Sequence, residues 1–147
     1  KNKDKLFFIN KYYKPELPLN LTKFLLKFAN SSIDVSDGLI DDLSKMINRQ
    51  NLSFHLFQKK IPVSNKLSNL IKKQRLNKIN LISNRDDYQV LFSADIKKAR
   101  IIKKVSKTTG IKITKIGKIV SGKDRSLIFD EKGKQIRAKS KGYIHRF

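Results

Sequence analysis

The sequence predicts an α+β domain in which helices pack on a mixed β-sheet. Three observations carry this. Short runs alternate apolar and polar residues, as in Leu52-Ser53-Phe54-His55-Leu56-Phe57. Other runs repeat apolar residues at helical spacing, as in Leu39, Ile40, Leu43, Met46 and Ile47, and the two kinds are interleaved along the chain. At 147 residues with 39% hydrophobic content, the chain is one domain of ordinary size, long enough to bury a core.

Residues 4–13 carry Leu6, Phe7, Ile9, Tyr12 and Tyr13 in a mainly helical pattern, which Pro15 and Pro18 end. A second helix is expected over 21–29. Over 32–36, Ile33 and Val35 alternate with Asp34 and Ser36, giving a short strand whose two polar residues point the same way. Ser36 or Asp37 is placed to cap the next helix, which starts near Gly38 and runs to about Asn48. A strand over 52–57, a helix over 65–74 and a strand over 87–93 follow, the last with Val90 and Phe92 on one face. A lysine-rich amphipathic helix over 96–109 ends at Gly110. Strands over 112–120 and 126–129 complete the order. The chain starts at Lys1 with the helical pattern already under way, so a piece of a longer protein is expected.

Composition excludes several classes. The chain has no cysteine, which removes disulfides, thiolate zinc sites and cysteine nucleophiles. No run approaches the length of a membrane-spanning helix and no signal-like start is visible, so a cytoplasmic protein is expected. The formal charge of +22 invites nucleic acid as a partner. Lysine outnumbers arginine 27 to 7, however, and the lysines are scattered, whereas base reading and bidentate phosphate contacts favour arginine. A solvated basic surface is the better account, and nucleic acid is not the expected partner.

Against this background the acids are informative. Of twelve Asp and Glu residues, four fall in Ile33-Asp34-Val35-Ser36-Asp37-Gly38-Leu39-Ile40-Asp41-Asp42-Leu43, and two adjoin at Asp86-Asp87. Clustered hard oxygen donors suit Mg²⁺ with phosphate. Asp41 and Asp42 fall in the first turn or so of a helix, where the dipole alone accounts for a carboxylate, so they read as structural. Asp34, Ser36 and Asp37 form a polar crown at a strand end, a place where ligands bind in α/β folds. Metal or phosphate binding and a plain structural role both remain open for Asp34 and Asp37 on this ground. The pair Asp86-Asp87 reads either as a charged turn or as a partner for a cationic group.

Two further features carry no chemistry. Gly117-Lys118-Ile119-Val120-Ser121-Gly122-Lys123-Asp124 nearly fits a phosphate loop, but Asp124 lacks the hydroxyl and a strand follows where a helix is needed, so it reads as a turn between strands. His55 and His145 have no ligand spacing, and His55 in its strand pattern reads as structural.

The motif Ile33-Asp34-Val35-Ser36-Asp37-Gly38-Leu39, followed by Asp42-Leu43, resembles the DVSDGL signature of the thiamine-monophosphate kinase family, in its C-terminal domain, within the aminoimidazole-ribonucleotide-synthetase-like (PurM-like) superfamily. Lys11-Tyr12-Tyr13-Lys14-Pro15-Glu16 is similar to the family's RY(L/W)RPxP element. Asp86-Asp87-Tyr88-Gln89-Val90-Leu91-Phe92 is similar to GG(E/D)DYELLF, Ile116-Gly117-Lys118-Ile119 to IGxI, and Gly142-Tyr143-Ile144-His145 to the terminal GWDHF. The five elements come in the family's order over nearly the whole chain.

The resemblance implies transfer of the ATP γ-phosphate onto thiamine monophosphate, giving thiamine diphosphate, by in-line attack with Mg²⁺. Asp34 and Asp37 would be metal-binding, Ser36 would contact ATP, and Asp86 or Asp87 with Tyr143 would bind substrate. An acid and an electron-rich ring suit a cationic thiazolium. No separate catalytic side chain is implied, since phosphoryl transfer rests on positioning and charge neutralisation. The expected organisation is one domain, 1–147, forming the C-terminal half of a two-domain, homodimeric kinase whose N-terminal ATP-binding domain lies outside this chain; alone it would be inactive. The family's paired glycines fall on Asn84 and Arg85, its Glu on Gln89 and its Trp-Asp on Tyr143-Ile144. Those departures motivate the alternatives of a drifted relative or another superfamily member, such as a selenophosphate synthetase, a hydrogenase-maturation protein or a purine-pathway synthetase; a basic nucleic-acid-binding module is the non-enzyme alternative.

Overall fold

The computed structural model describes residues 2–48, 50–83 and 88–136. Two antiparallel strands, β1 (Ala29–Val35) and β3 (Gln89–Ala94), make a ribbon. A second sheet has the order β4-β2-β5-β6, from β2 (Leu52–Phe57), β4 (Gly117–Ser121), β5 (Leu127–Phe129) and β6 (Gln135–Ile136). It is mixed: β2 runs antiparallel to β4 and parallel to β5. Around the sheets lie α1 (Asn2–Tyr13), α2 (Leu19–Leu25), α3 (Leu39–Met46), α4 (Asn65–Gln74), α5 (Lys78–Ile82) and α6 (Ala99–Thr109). The α+β class and the mixed sheet are as expected, with the strands divided between two sheets.

Side-chain alternation puts the ribbon between two apolar clusters. Val35 and Leu91 point into the larger one, with Leu39, Ile40, Leu43 and Ile47 of the α3 segment, Phe54 and Leu56 of β2, and Ile128 of β5. Val90 and Phe92 pack on the opposite side against Leu21, Phe28 and Val105, joining α2 and α6 to the ribbon. The expected shared face of Val90 and Phe92 is thus present.

Several boundaries differ from expectation. The second helix ends at Leu25, because Phe28 is drawn into the smaller cluster beside the Phe92 ring, 5.2 Å away, and Ala29 pairs with Ala94. The strand expected over 112–120 begins only at Gly117; Ile111 and Ile113 pack toward α6 instead of pairing. The helix expected over 96–109 opens with a 3₁₀ turn, Ile96–Lys98, ahead of α6, and Gly110 ends it in the left-handed region at φ 68°. The short α5 and β6 escape the periodicity argument because five and two residues are too few to show a period.

The near phosphate loop is a turn. Gly122–Arg125 links β4 to β5 on either side of β2, with the Ser53 hydroxyl donating to Gly122 O (2.5 Å) and accepting from the Arg125 N–H (3.0 Å). His55 sits in β2 with its ring edge toward Phe129 at 5.9 Å, a packing role. Gly117 pairs with Leu56, and a Cβ at Gly117 would collide with the His55 carbonyl. Gly117→Ala is therefore expected to lower the unfolding free energy by about 1–3 kcal/mol, measured by urea denaturation; an unchanged midpoint would mean that β4 yields at no cost.

Candidate functional site

Strand β1 delivers the acidic motif to one end of the ribbon. Asp34, its penultimate residue, is exposed and pairs with Val90, while Val35 is buried in the larger core. The chain then turns through Ser36, Asp37 and Gly38 into α3. Gly38 has φ 115° and ψ 146°, a conformation that a Cβ excludes, so glycine is required at this corner.

Neither Ser36 nor Asp37 caps α3: its N-cap is Gly38, with no side-chain cap bond. Bonding runs the other way. The Ser36 and Asp37 backbone N–H groups both donate to Asp42 Oδ2, each at 2.9 Å, so a carboxylate in the first turns of the helix reaches back and fastens the loop before it. Asp42 is 1% exposed, and Lys45 Nζ donates to its Oδ1 at 2.9 Å. The structural reading of Asp42 holds, but loop bonding supplements the helix dipole as its cause. Its capping-box-like position was the signal available in the sequence: an acid a few residues into a helix, aimed at the N–H groups preceding it.

Lys45 also donates to Asp37 Oδ2, so one ammonium bridges the buried Asp42 and the half-exposed Asp37. Hydrogen bonds to Asp37 first, and then Asp42, raise the Lys45 pKa above the ordinary lysine value. The stability this gives is complete below the unfolded-chain lysine pKa and is lost as pH rises through the raised folded value, so the bridge persists across the neutral range. The acid-centred reading of the motif missed Lys45, whose signal was its i,i+3 spacing from Asp42.

The antiparallel register sets the beginning of β3 beside this loop: Gln89 pairs with Val35, and the Tyr88 N–H donates to Val35 O at 3.0 Å. The structure therefore brings Asp34, Ser36 and Asp37 to the ribbon end where Tyr88 enters. Asp86, Asp87 and Tyr143, together with Asn84 and Arg85, lie outside the described residues. Among the described residues no cluster of three or more His, Cys, Asp or Glu side chains could hold a metal ion. Two clefts, of about 440 and 570 Å³, include none of Asp34, Ser36 and Asp37 in their linings. No helix among the described residues is long and apolar enough to cross a membrane.

No family model matches the chain. Individual proteins do. The thiamine-monophosphate kinase of Buchnera aphidicola subsp. Acyrthosiphon pisum is 31% identical over 140 residues, covering 95% of this chain and 42% of that protein. Among solved structures, the thiamine monophosphate kinase from Aquifex aeolicus matches with a TM-score of 0.71 at 26% identity, over 92% of this chain and 42% of that one. A structure described as AaThiL complexed with AMPPCP and TMP matches with a TM-score of 0.72 at 26% identity, over 97% and 42%.

Over nearly its whole length the chain is similar to one part of thiamine-monophosphate kinases. It spans less than half the length of the curated relatives it matches. The thiamine-monophosphate kinase likeness covers 92% of the chain, and the PurM-like architecture of those kinases agrees with the ribbon and mixed sheet described above.

The four acids of this motif divide by burial, and stability should follow. Asp42→Asn replaces one carboxylate oxygen with a donor and is expected to cost about 2–3 kcal/mol in chemical denaturation. Asp34→Asn, at an exposed position, is expected to stay within about 0.5 kcal/mol. Equal costs for the two would contradict the assignment of the loop-fastening role to Asp42.

Proposed function

We propose that this chain is the C-terminal domain of an enzyme that transfers the γ-phosphate of ATP to thiamine monophosphate, giving thiamine diphosphate, with Mg²⁺ bound at Asp34 and Asp37. The observation that carries this reading is the likeness, over 97% of the chain, to AaThiL complexed with AMPPCP and TMP. The residues suit the metal. Asp34 offers an exposed carboxylate and Asp37 a side chain 39% exposed, and the loop already gathers an ammonium cation. Bound there, Mg²⁺ would neutralise charge on the transferring phosphoryl group.

The chain's own groups supply position. Asp42 fixes the backbone of Ser36 and Asp37, so that the Ser36 side chain and the Asp37 carboxylate are presented from a loop that does not need to reorganise. In this reading Ser36 contacts ATP, and Asp86 or Asp87 with Tyr143 receives the cationic thiamine end of the acceptor. Two carboxylates make only part of a metal site, which supports completion by an N-terminal ATP-binding domain and inactivity of this chain alone. Apolar side chains exposed on and beside α1 and α2, among them Tyr12, Tyr13, Leu19 and Leu26, suit a surface that such a domain or a second copy in a homodimer would cover. ATP and thiamine monophosphate as substrates make the cytoplasm the expected compartment.

The test is thiamine-diphosphate formation from thiamine monophosphate, ATP and Mg²⁺ by the complete encoded protein. Asp34→Ala and Asp37→Ala are each expected to lower turnover by about a hundredfold or more, equivalent to ~2.7 kcal/mol of transition-state stabilisation, with the thermal midpoint of Asp34→Ala unchanged. Full turnover in both variants would remove these residues from the site. No turnover by the folded, unmutated protein would favour a drifted relative, for which Arg85 and Gln89 are the motivating departures.

A further inference from the structure

Lys45 is held by two carboxylates of different standing. Asp42 is buried and fixed by two backbone N–H groups, whereas Asp37 is half-exposed at the loop surface. The Lys45 side chain is itself 48% exposed. Its ammonium can therefore leave Asp37 Oδ2 while keeping Asp42 Oδ1, 2.9 Å away, and its remaining donors meet water. Between Ile33 and Ile47 it is the sole cationic side chain among four carboxylates, so it is a counter-ion that this segment carries within itself. A divalent cation arriving at Asp37 meets an occupied oxygen and, once bound, a positive charge tethered a few ångströms off.

We propose that Lys45 is a tethered counter-cation that competes with the divalent metal for Asp37 and so sets the affinity of this metal site. In the metal-free protein the ammonium bridges Asp37 and Asp42; when metal binds, it withdraws to Asp42 alone. The inference rests on the reading of Asp37 as a metal ligand. A unit charge and a divalent cation about 4 Å apart in bulk water repel by about 2 kcal/mol, an upper bound of roughly thirtyfold in binding constant, and salt screening between half-exposed charges brings the expected effect down to about fivefold.

The experiment is calorimetric titration of the complete protein with Mg²⁺ alone, comparing Lys45→Met in the unmutated and Asp37→Asn backgrounds. Lys45→Met is expected to tighten Mg²⁺ binding about fivefold in the first background and by less in the second, where no Asp37 carboxylate is left to contest. Unchanged or weaker binding in the first would overturn the proposal; weaker binding would make Lys45 a residue that orients Asp37. If Asp37→Asn alone leaves Mg²⁺ binding intact, the metal reading fails and this inference with it. Should the Met variant not fold, amine labelling read by mass spectrometry decides on the unmutated protein: Lys45 is expected to label faster as Mg²⁺ is added, and a rate that stays level or falls would overturn the proposal.

Discussion

The buried carboxylate of Asp42 is the constraint on which the rest of the site depends. An uncompensated carboxylate in that position would cost several kcal/mol, so it is tolerated only because each oxygen is satisfied. Oδ2 accepts the N–H groups of Ser36 and Asp37, Oδ1 accepts Lys45, and the start of α3 adds a favourable dipole. The side-chain length matters as much as the charge. Glutamate would carry the oxygens past the two N–H groups, and asparagine would set a donor against either an N–H or an ammonium. Once these bonds form, Gly38 must take φ 115°, and the direction of Asp37 follows.

This arrangement stands on an apolar platform. Val35 precedes the loop and Leu39, Ile40 and Leu43 follow it, all buried in one cluster with Leu56, which is 1% exposed. Each such side chain contributes about 1.5–3 kcal/mol by leaving water. The two ends of the loop are therefore anchored independently of the polar bonds between them, a supporting shell that keeps a site in register.

Surface charge has a smaller part than the composition suggests. Although 31% of residues are charged, pairs such as Lys66–Asp4 and Lys11–Glu16 are exposed, and pairs of that kind contribute about 0–1 kcal/mol. The Lys45 bridge differs because one of its partners is buried. Scattered lysines favour solubility and set a positive background, within which the acidic loop is a local exception.

The boundaries of β2 and α4 could be read from the sequence to the residue, since local alternation and the Ser64 cap, whose hydroxyl accepts the Leu67 N–H, agree with the tertiary environment. The place of the Asp34 to Gly38 corner was also legible, because acids in a basic chain and a glycine between strand and helix are visible without coordinates, but its details were not: the strand ends at Val35 and not Ser36, and neither Ser36 nor Asp37 caps α3. The family motifs pointed to the same segment. Phe28 and Ile113 were misassigned where apolar residues obey a local period yet are claimed by α6 and Phe92 from elsewhere in the chain. The sequence alone determined the kinds of element, the acidic corner and its glycine. Only the tertiary structure decided that β4 and β5 straddle β2, that Asp42 alone of the four acids is buried, and that Lys45 joins it to Asp37. The physical reason is that periodicity reports which face of a segment turns inward, whereas partners, burial depth and side-chain reach are set by the surfaces that segment meets.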